Sequence, residues 1–288
     1  MAQLIMTGKE VIASMKERMT KDVEALKSKG ICPKMNIVRV GARGDDLAYE
    51  RGARKRLESV GVELEVTELP EDIGQEAFEE AFRRVNEDVT VHGIMLFRPL
   101  PKHLDEEPVA RMIDPEKDVD CMSPVNQAKV FAGDPTGFAP CTPQAVMEML
   151  DYYGIELKGK KVTLVGRSMV VGKPLAMLML GRHATVTMCH TRTVDLAAEC
   201  RSADIIAAAA GKAGMITGDM VSPGAVVVDV GINVDEEGSL CGDVDYGQVE
   251  PVAGAISPVP GGVGGVTSSV LASHVVEAAK RLGQARQG

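Results

Sequence analysis

The chain has 288 residues, enough for one large α/β domain or two ordinary ones. Hydrophobic residues make up 45% and charged residues 25%, while aromatics reach only 3% and Trp is missing; the core must come from Val, Ile, Leu, Met and Ala, which favours α/β layers over an aromatic-rich β-sandwich. The formal net charge of -9 argues against a nucleic-acid partner but not against a small anionic cofactor held in a local basic pocket.

Residues 9–29 read as an amphipathic helix, with Val11, Met15, Met19, Val23 and Leu26 at spacings of three and four and Gly30 and Pro33 ending it. Lys9, Glu10, Lys16, Glu17 and Arg18 break its apolar run, so neither a signal peptide nor a membrane span is expected, and a cytoplasmic location is. A strand at 35–40, a helix at 45–60 closed by Gly61, an alternating strand at 62–69, a helix at 76–85 and a short buried strand at 93–97 follow. This alternation predicts a mainly parallel sheet. From about 102 to 143 Pro and Asp break every pattern, and an irregular stretch of that length inside a compact chain usually carries function. A helix through Tyr153 then starts at Thr142-Pro143, with Thr as cap and Pro in the first helical position. The alternation restarts with a strand at 161–165, a helix at 173–180 and strands at 185–189, 203–208 and 225–230. A Pro/Gly-rich loop at 258–265 and a helix from about 267 to 282 complete the pattern, which contains no internal repeat.

The segment from Gly166 to Gly172 reads G-R-S-M-V-V-G, follows a Val-rich strand and opens a helix. Backbone N–H groups and the positive end of the helix dipole face an anion at such a turn, and Gly is needed where the backbone approaches a pyrophosphate. The segment departs from G-x-G-x-x-G and is a weak signal alone. It also fails as a G-x-x-x-x-G-K-[ST] loop, since five residues separate the glycines and Pro174 follows Lys173 where a hydroxyl should ligate magnesium. The second strand of the unit ends in Cys189-His190-Thr191-Arg192-Thr193, without the acid that would favour NAD. Arg167, Arg192 and a hydroxyl suit a 2′-phosphate, so NADP is expected ahead of NAD, although a merely solvated Arg192 would read the same way.

The six cysteines, Cys32, Cys121, Cys141, Cys189, Cys200 and Cys241, include no C-x-x-C pair and no zinc-type cluster with His. No metal site and no disulfide framework are expected.

Several segments line up in one order: V-G-A-R-G-D-D-L-A-Y from Val40 to Tyr49, P-L-P from Pro99, P-E-K-D-V-D from Pro115 to Asp120 and P-C-T-P from Pro140. The phosphate turn continues them as G-R-S-M-V-V-G-K-P, followed by D-V-G-I-N from Asp229, G-D-V-D from Gly242 and P-V-P-G-G-V-G from Pro258 to Gly264. Together they make nearly the whole chain resemble the methylenetetrahydrofolate dehydrogenase/cyclohydrolase (FolD) family. The resemblance implies two α/β domains with a cleft between them: residues 1–143 with 267–288 as a folate-binding catalytic domain, and 144–266 as a Rossmann NADP-binding domain. It implies oxidation of 5,10-methylenetetrahydrofolate in one-carbon metabolism feeding purine and amino-acid biosynthesis, and a homodimer. Tyr49 would orient the pterin-linked ring and Asp120 would accept its N–H groups, as an ionised carboxylate can. Arg98, Pro99, Leu100, Pro260, Gly261 and Gly262 would complete the substrate contacts. The cofactor would meet Gly166, Arg167, Ser168, Val171, Gly172, Thr191, Arg192, Gly231 and Ile232.

Two positions depart from the family. Its catalytic Lys, four residues after the Tyr and so on the same helix face, is Ala53 here, and its Gln two residues before P-L-P is Phe97. Hydride transfer asks only that the reacting carbons be held in near-attack geometry. Hydration of the methenyl product moves protons and needs a group of tunable pKa, which Ala cannot supply. The expectation is dehydrogenase activity with weak or absent cyclohydrolase activity. The alternatives are full bifunctionality with Lys55 or Arg56 compensating, or a folate- or dinucleotide-binding protein without turnover. A hydroxy- or amino-acid dehydrogenase would need a Lys–Asp or His–Asp pair that the sequence does not offer at convincing spacing.

Overall fold

The structure, a computed structural model, describes residues 2–235 and 237–285. The elements run β1 (Leu4–Ile5), α1 (Gly8–Lys27), β2 (Lys34–Val40), α2 (Gly44–Glu58), β3 (Glu63–Leu69), α3 (Gln75–Glu87), β4 (Gly93–Leu96), α4 (Glu107–Met112), α5 (Pro124–Ala132) and α6 (Cys141–Tyr152). They continue with β5 (Lys161–Val165), α7 (Gly172–Gly181), β6 (Thr185–Cys189), α8 (Leu196–Arg201), β7 (Ile205–Ala208), β8 (Val226–Asp229), β9 (Asn233–Val234), β10 (Leu240–Cys241), α9 (Tyr246–Val249), β11 (Ala255–Ile256) and α10 (Val263–Ala285). The chain divides into two compact α/β units, one holding residues 14–141 and the segment from Ser268, the other the segment through Ala13 and residues 142–267. No helix among the described residues is long and apolar enough to cross a membrane.

The first unit carries a three-strand parallel sheet in the order β3-β2-β4. Central β2 is buried at every position after Lys34, Asn36 and Arg39 included, whereas edge strand β3 is more exposed and largely alternates. α3 seats Phe78, Phe82 and Val85, at helical spacing, in one apolar cluster with Val38, Leu69, Ile94 and Val109. The five apolar residues of the α1 stripe are all buried.

The second unit carries a six-strand sheet, β1-β11-β8-β7-β5-β6, parallel throughout, with β9 and β10 as a separate antiparallel pair. The chain leaves β5 to one side for β6 and returns to the other for β7. That reversal opens a crevice at the carboxyl ends of β5 and β7, where ligands of open α/β sheets bind.

Four features differ from the sequence reading. Residues 1–13, expected with the catalytic domain, cluster with the second unit, because Leu4 and Ile5 pair in parallel with Ala255 and Ile256; two residues are too few to show periodicity. The stretch 102–143 holds two short helices: Pro108 and Pro124 sit in their first turns, the Ser123 hydroxyl accepts from Val125 N, and Gly133 ends α5 at φ 70. α8 was not anticipated, though Asp195 caps it by accepting from Ala198 N at 2.9 Å, and its end delays β7 to Ile205. The last helix begins at Val263, so Gly264 and Gly265 belong to it; a Cβ on Gly265 would press on Ile12 at 3.3 Å.

Candidate functional site

In the first unit, α2 places Tyr49 and Ala53 one turn apart. Ala53 is 2% exposed and Phe97, just after β4, 7%. The Phe97 N–H donates to Val38 O at 3.0 Å, which anchors its backbone beside β2, and Tyr49 meets the Phe97 ring edge to face with centroids 5.6 Å apart. The Tyr49 ring keeps an exposed edge, while burial, reinforced by the nearby Cys141 and Asp120, pushes its hydroxyl well above the usual phenol range. The hydroxyl is therefore a hydrogen-bonding group and not a base at neutral pH.

The two aspartates of K-D-V-D have different environments. Asp118 is buried and its carboxylate accepts from Met122 N, Ser123 N and Asn126 Nδ2, each at 2.9 Å, so its acceptors are spent on the turn before α5. Asp120 is half-buried, and its Oδ1 accepts from Cys141 N at 3.1 Å, leaving acceptor capacity for a ligand. Cys121 follows it at φ 59, a left-handed conformation uncommon outside Gly, Asn and Asp. The sequence reading took P-C-T-P only as a motif; its Cys141 N–H orients the Asp120 carboxylate. Burial, with Asp120 beside it, raises the Cys141 thiol well above the ordinary range, so it is no thiolate nucleophile.

Arg98 is half-buried with Glu106 3.9 Å away, Pro99 O accepts from Arg43 Nη1 at 3.2 Å, and half-buried Leu100 packs on the apolar cluster. Lys55 is exposed. Arg56 is half-buried; its Nε has no hydrogen-bond partner among the described residues, and burial lowers its pKa.

In the second unit, the turn from Gly166 to Gly172 lies at the crevice. A Cβ on Gly166 would overlap Ala209 O, and one on Gly172 would overlap Gly166 O, so the tight turn requires both glycines. The Ser168 hydroxyl accepts from Val171 N at 3.0 Å and Gly172 N at 3.3 Å, closing the turn onto half-buried Val171. Arg167, Thr191 and Arg192 are exposed, and neither arginine has an ion pair among the described residues. A backbone cradle closed to any Cβ, with two uncommitted guanidiniums, fits a phosphorylated dinucleotide. Past β8, Gly231 is buried and Ile232 is 65% exposed. Gly261 O accepts from Gly8 N at 2.7 Å, which ties the 258–262 turn to the start of α1; Pro260 and Gly261 are exposed and Gly262 is buried. The expected substrate residues thus fall in both units: Tyr49, Arg98, Pro99, Leu100 and Asp120 in the first, Pro260, Gly261 and Gly262 in the second.

A doubly wound sheet with a glycine turn at its reversal point, in one chain with a second α/β unit, defines a two-domain dinucleotide-binding enzyme fold. Residues 6–120 match the profile of the tetrahydrofolate dehydrogenase/cyclohydrolase catalytic domain, and residues 140–283 that of the same family's NAD(P)-binding domain. A bifunctional protein FolD of Clostridioides difficile is 56% identical over 276 residues, covering 96% of each chain. One from Carboxydothermus hydrogenoformans is 54% identical over 279 residues, covering 96% of this chain and 97% of its own. The crystal structure of the bifunctional FolD enzyme of Campylobacter jejuni superposes with a TM-score of 0.95 at 38% identity, covering 97% of this chain and 99% of that one. The Trypanosoma brucei FolD, solved with NADP and an inhibitor, gives 0.90 at 37% identity, covering 97% and 98%. The chain belongs to the tetrahydrofolate dehydrogenase/cyclohydrolase family.

Proposed function

We propose that this protein oxidises 5,10-methylenetetrahydrofolate to 5,10-methenyltetrahydrofolate with NADP, and hydrolyses the methenyl product to 10-formyltetrahydrofolate weakly or not at all. The relatives' names carry both activities; the departure rests on one observation. Beside Tyr49, the two positions where the family resemblance implies Lys and Gln hold buried, apolar Ala53 and Phe97.

The pterin's N–H groups donate to the Asp120 carboxylate, whose direction Cys141 N sets. Tyr49, held against Phe97, orients the ring bearing the one-carbon unit. Arg98 to Leu100 and the 260–262 turn supply further substrate contacts. NADP, when bound, supplies the hydride acceptor. The Gly166–Gly172 turn with Ser168 and Val171 cradles its phosphates, Arg167, Thr191 and Arg192 take the 2′-phosphate, and Gly231 and Ile232 contact its far half. These residues need only orient and exclude water, since no side chain must take a proton during hydride transfer. Hydration of the product does need proton movement, and the apolar pair beside Tyr49 provides none.

Besides the relatives' names, full bifunctionality has one structural observation in its favour: the partnerless Nε and burial-lowered pKa of Arg56, seven residues beyond Tyr49 on the same stripe. Decay of methenyltetrahydrofolate with wild-type protein and with Arg56→Ala tests it; acceleration by wild type that disappears in the variant would establish that reading. NADPH formation on mixing substrate and NADP separates an enzyme from a binding protein without turnover. The protein would act in the cytoplasm. Homodimer formation is supported by Val234 and Leu240, which face each other across the β9–β10 pair and are 64% and 53% exposed; sedimentation of wild type and Leu240→Glu tests it.

A further inference from the structure

Two buried carboxylates of the second unit, Asp229 and Asp243, have no role in the chemistry above. Asp243 is fully buried, and its partners are N–H groups, not a cation. Its carboxylate accepts from three consecutive backbone amides, Ala210 at 2.5 Å, Gly211 at 2.9 Å and Lys212 at 2.8 Å, and from Asn233 Nδ2 at 2.9 Å. Asp229, which ends β8, accepts from Gly231 N, Asp243 N and Val244 N, each at 3.0 Å. The Asp229 carboxylate thus fixes the backbone that carries Asp243, and the Asp243 carboxylate in turn holds the 210–212 amides and the Asn233 side chain. Gly231 and Gly242 make room for this, since a Cβ on either would overlap the Asp243 or Asp229 carboxylate. A buried charge without a counter-ion is costly, and a well-packed apolar pair would stabilise the fold more cheaply. The arrangement is explained by what it holds. The 209–212 loop follows β7, and its Ala209 carbonyl touches Gly166 of the phosphate turn. The 230–232 loop follows β8, carries exposed Ile232 and leads into Asn233 at the start of β9.

We propose that Asp243, kept in place by Asp229, is a positioning residue for the dinucleotide: it locks the loops after β7 and β8 at a fixed separation, so that the part of the cofactor beyond the phosphate turn meets a preformed wall. This rests on placing the dinucleotide at the carboxyl edge of the six-strand sheet. Locking the loops beforehand removes the ordering cost that binding would otherwise carry.

The test is Asp243→Asn, which keeps the shape but turns an NH2 group toward N–H donors, with Asn233→Ala as a milder variant that removes one donor from the cluster. NADP binding is measured by calorimetry, folate KM by initial rates, and amide hydrogen exchange along the chain. The expected result for Asp243→Asn is a cofactor Kd raised on the order of ten-fold, because ordering the loosened loops then becomes part of the cost of binding. Folate KM should stay unchanged, with faster exchange confined to 209–212 and 230–233. Asn233→Ala should shift the Kd a few-fold in the same direction, and it decides the matter alone if Asp243→Asn does not fold. Unchanged cofactor affinity in the folded variants, or exchange that rises evenly through the whole unit, overturns the proposal. Wild-type protein that binds no NADP would remove the underlying placement, and the proposal with it.

Discussion

Ala53 and Phe97 matter as a pair. A Lys placed at the buried position 53 would have Phe97 where the family resemblance implies a polar Gln, and a desolvated ammonium loses its proton readily but would lack that partner to orient it. Ala53→Lys alone is therefore expected to leave methenyltetrahydrofolate hydrolysis near the uncatalysed rate, while Ala53→Lys with Phe97→Gln restores it; stopped-assay measurement of 10-formyltetrahydrofolate distinguishes the two. Arg192→Ala tests the cofactor preference. Loss of one charge-assisted phosphate contact should raise the KM for NADP by roughly ten-fold and leave that for NAD unchanged. Equal changes for both cofactors would mean that Arg192 is only solvated. The sequence showed these residues because their types are tied to a motif order, and it assigned Asp120 rather than Asp118 by family resemblance alone, without a physical reason. Only the three donors on Asp118 reveal that its acceptors are already used.

Among the elements, those with a full period of apolar residues were legible. The α1 stripe, β2 and α3 each bury enough positions to write their pattern into the sequence. β1, α4, α5 and α8 have two to nine residues, and their existence depends on a pairing partner or a cap. Ser123-Pro124 with Gly133, and Asp195, were the available signals, masked by the surrounding Pro and Asp. In α3, Phe82 is fully buried in the first unit's core, so Phe82→Ala should destabilise the protein by about 3–5 kcal/mol, read by denaturant unfolding. At the end of β8, burial lifts the Asp229 carboxyl to about 6, against an ordinary value of 3.8. Its folded-state pKa lies above the unfolded one, so the folded state holds this proton more tightly. The contribution is greatest below the unfolded pKa and is lost as pH rises through about 6. Unfolding free energies measured across that window should fall more steeply with pH for wild type than for Asp229→Asn. Parallel curves would show that the group does not titrate there.

Across the whole chain, two runs of α/β alternation and a mainly parallel sheet were readable from the order of elements, because parallel strands joined by helices leave few other ways to bury both faces, while the Rossmann assignment came from the family resemblance. The division of the chain was less readable. The N-terminal segment joins the six-strand sheet through a two-residue strand, which no local pattern announces. In the proposed function, one fold performs the oxidation and stops before the hydration. The most direct test mixes the purified protein with 5,10-methylenetetrahydrofolate and NADP and follows NADPH, methenyl- and 10-formyltetrahydrofolate together. NADPH and the methenyl product should rise mole for mole, with 10-formyltetrahydrofolate appearing no faster than without protein; formyl product keeping pace with NADPH would show that the protein also catalyses the hydration.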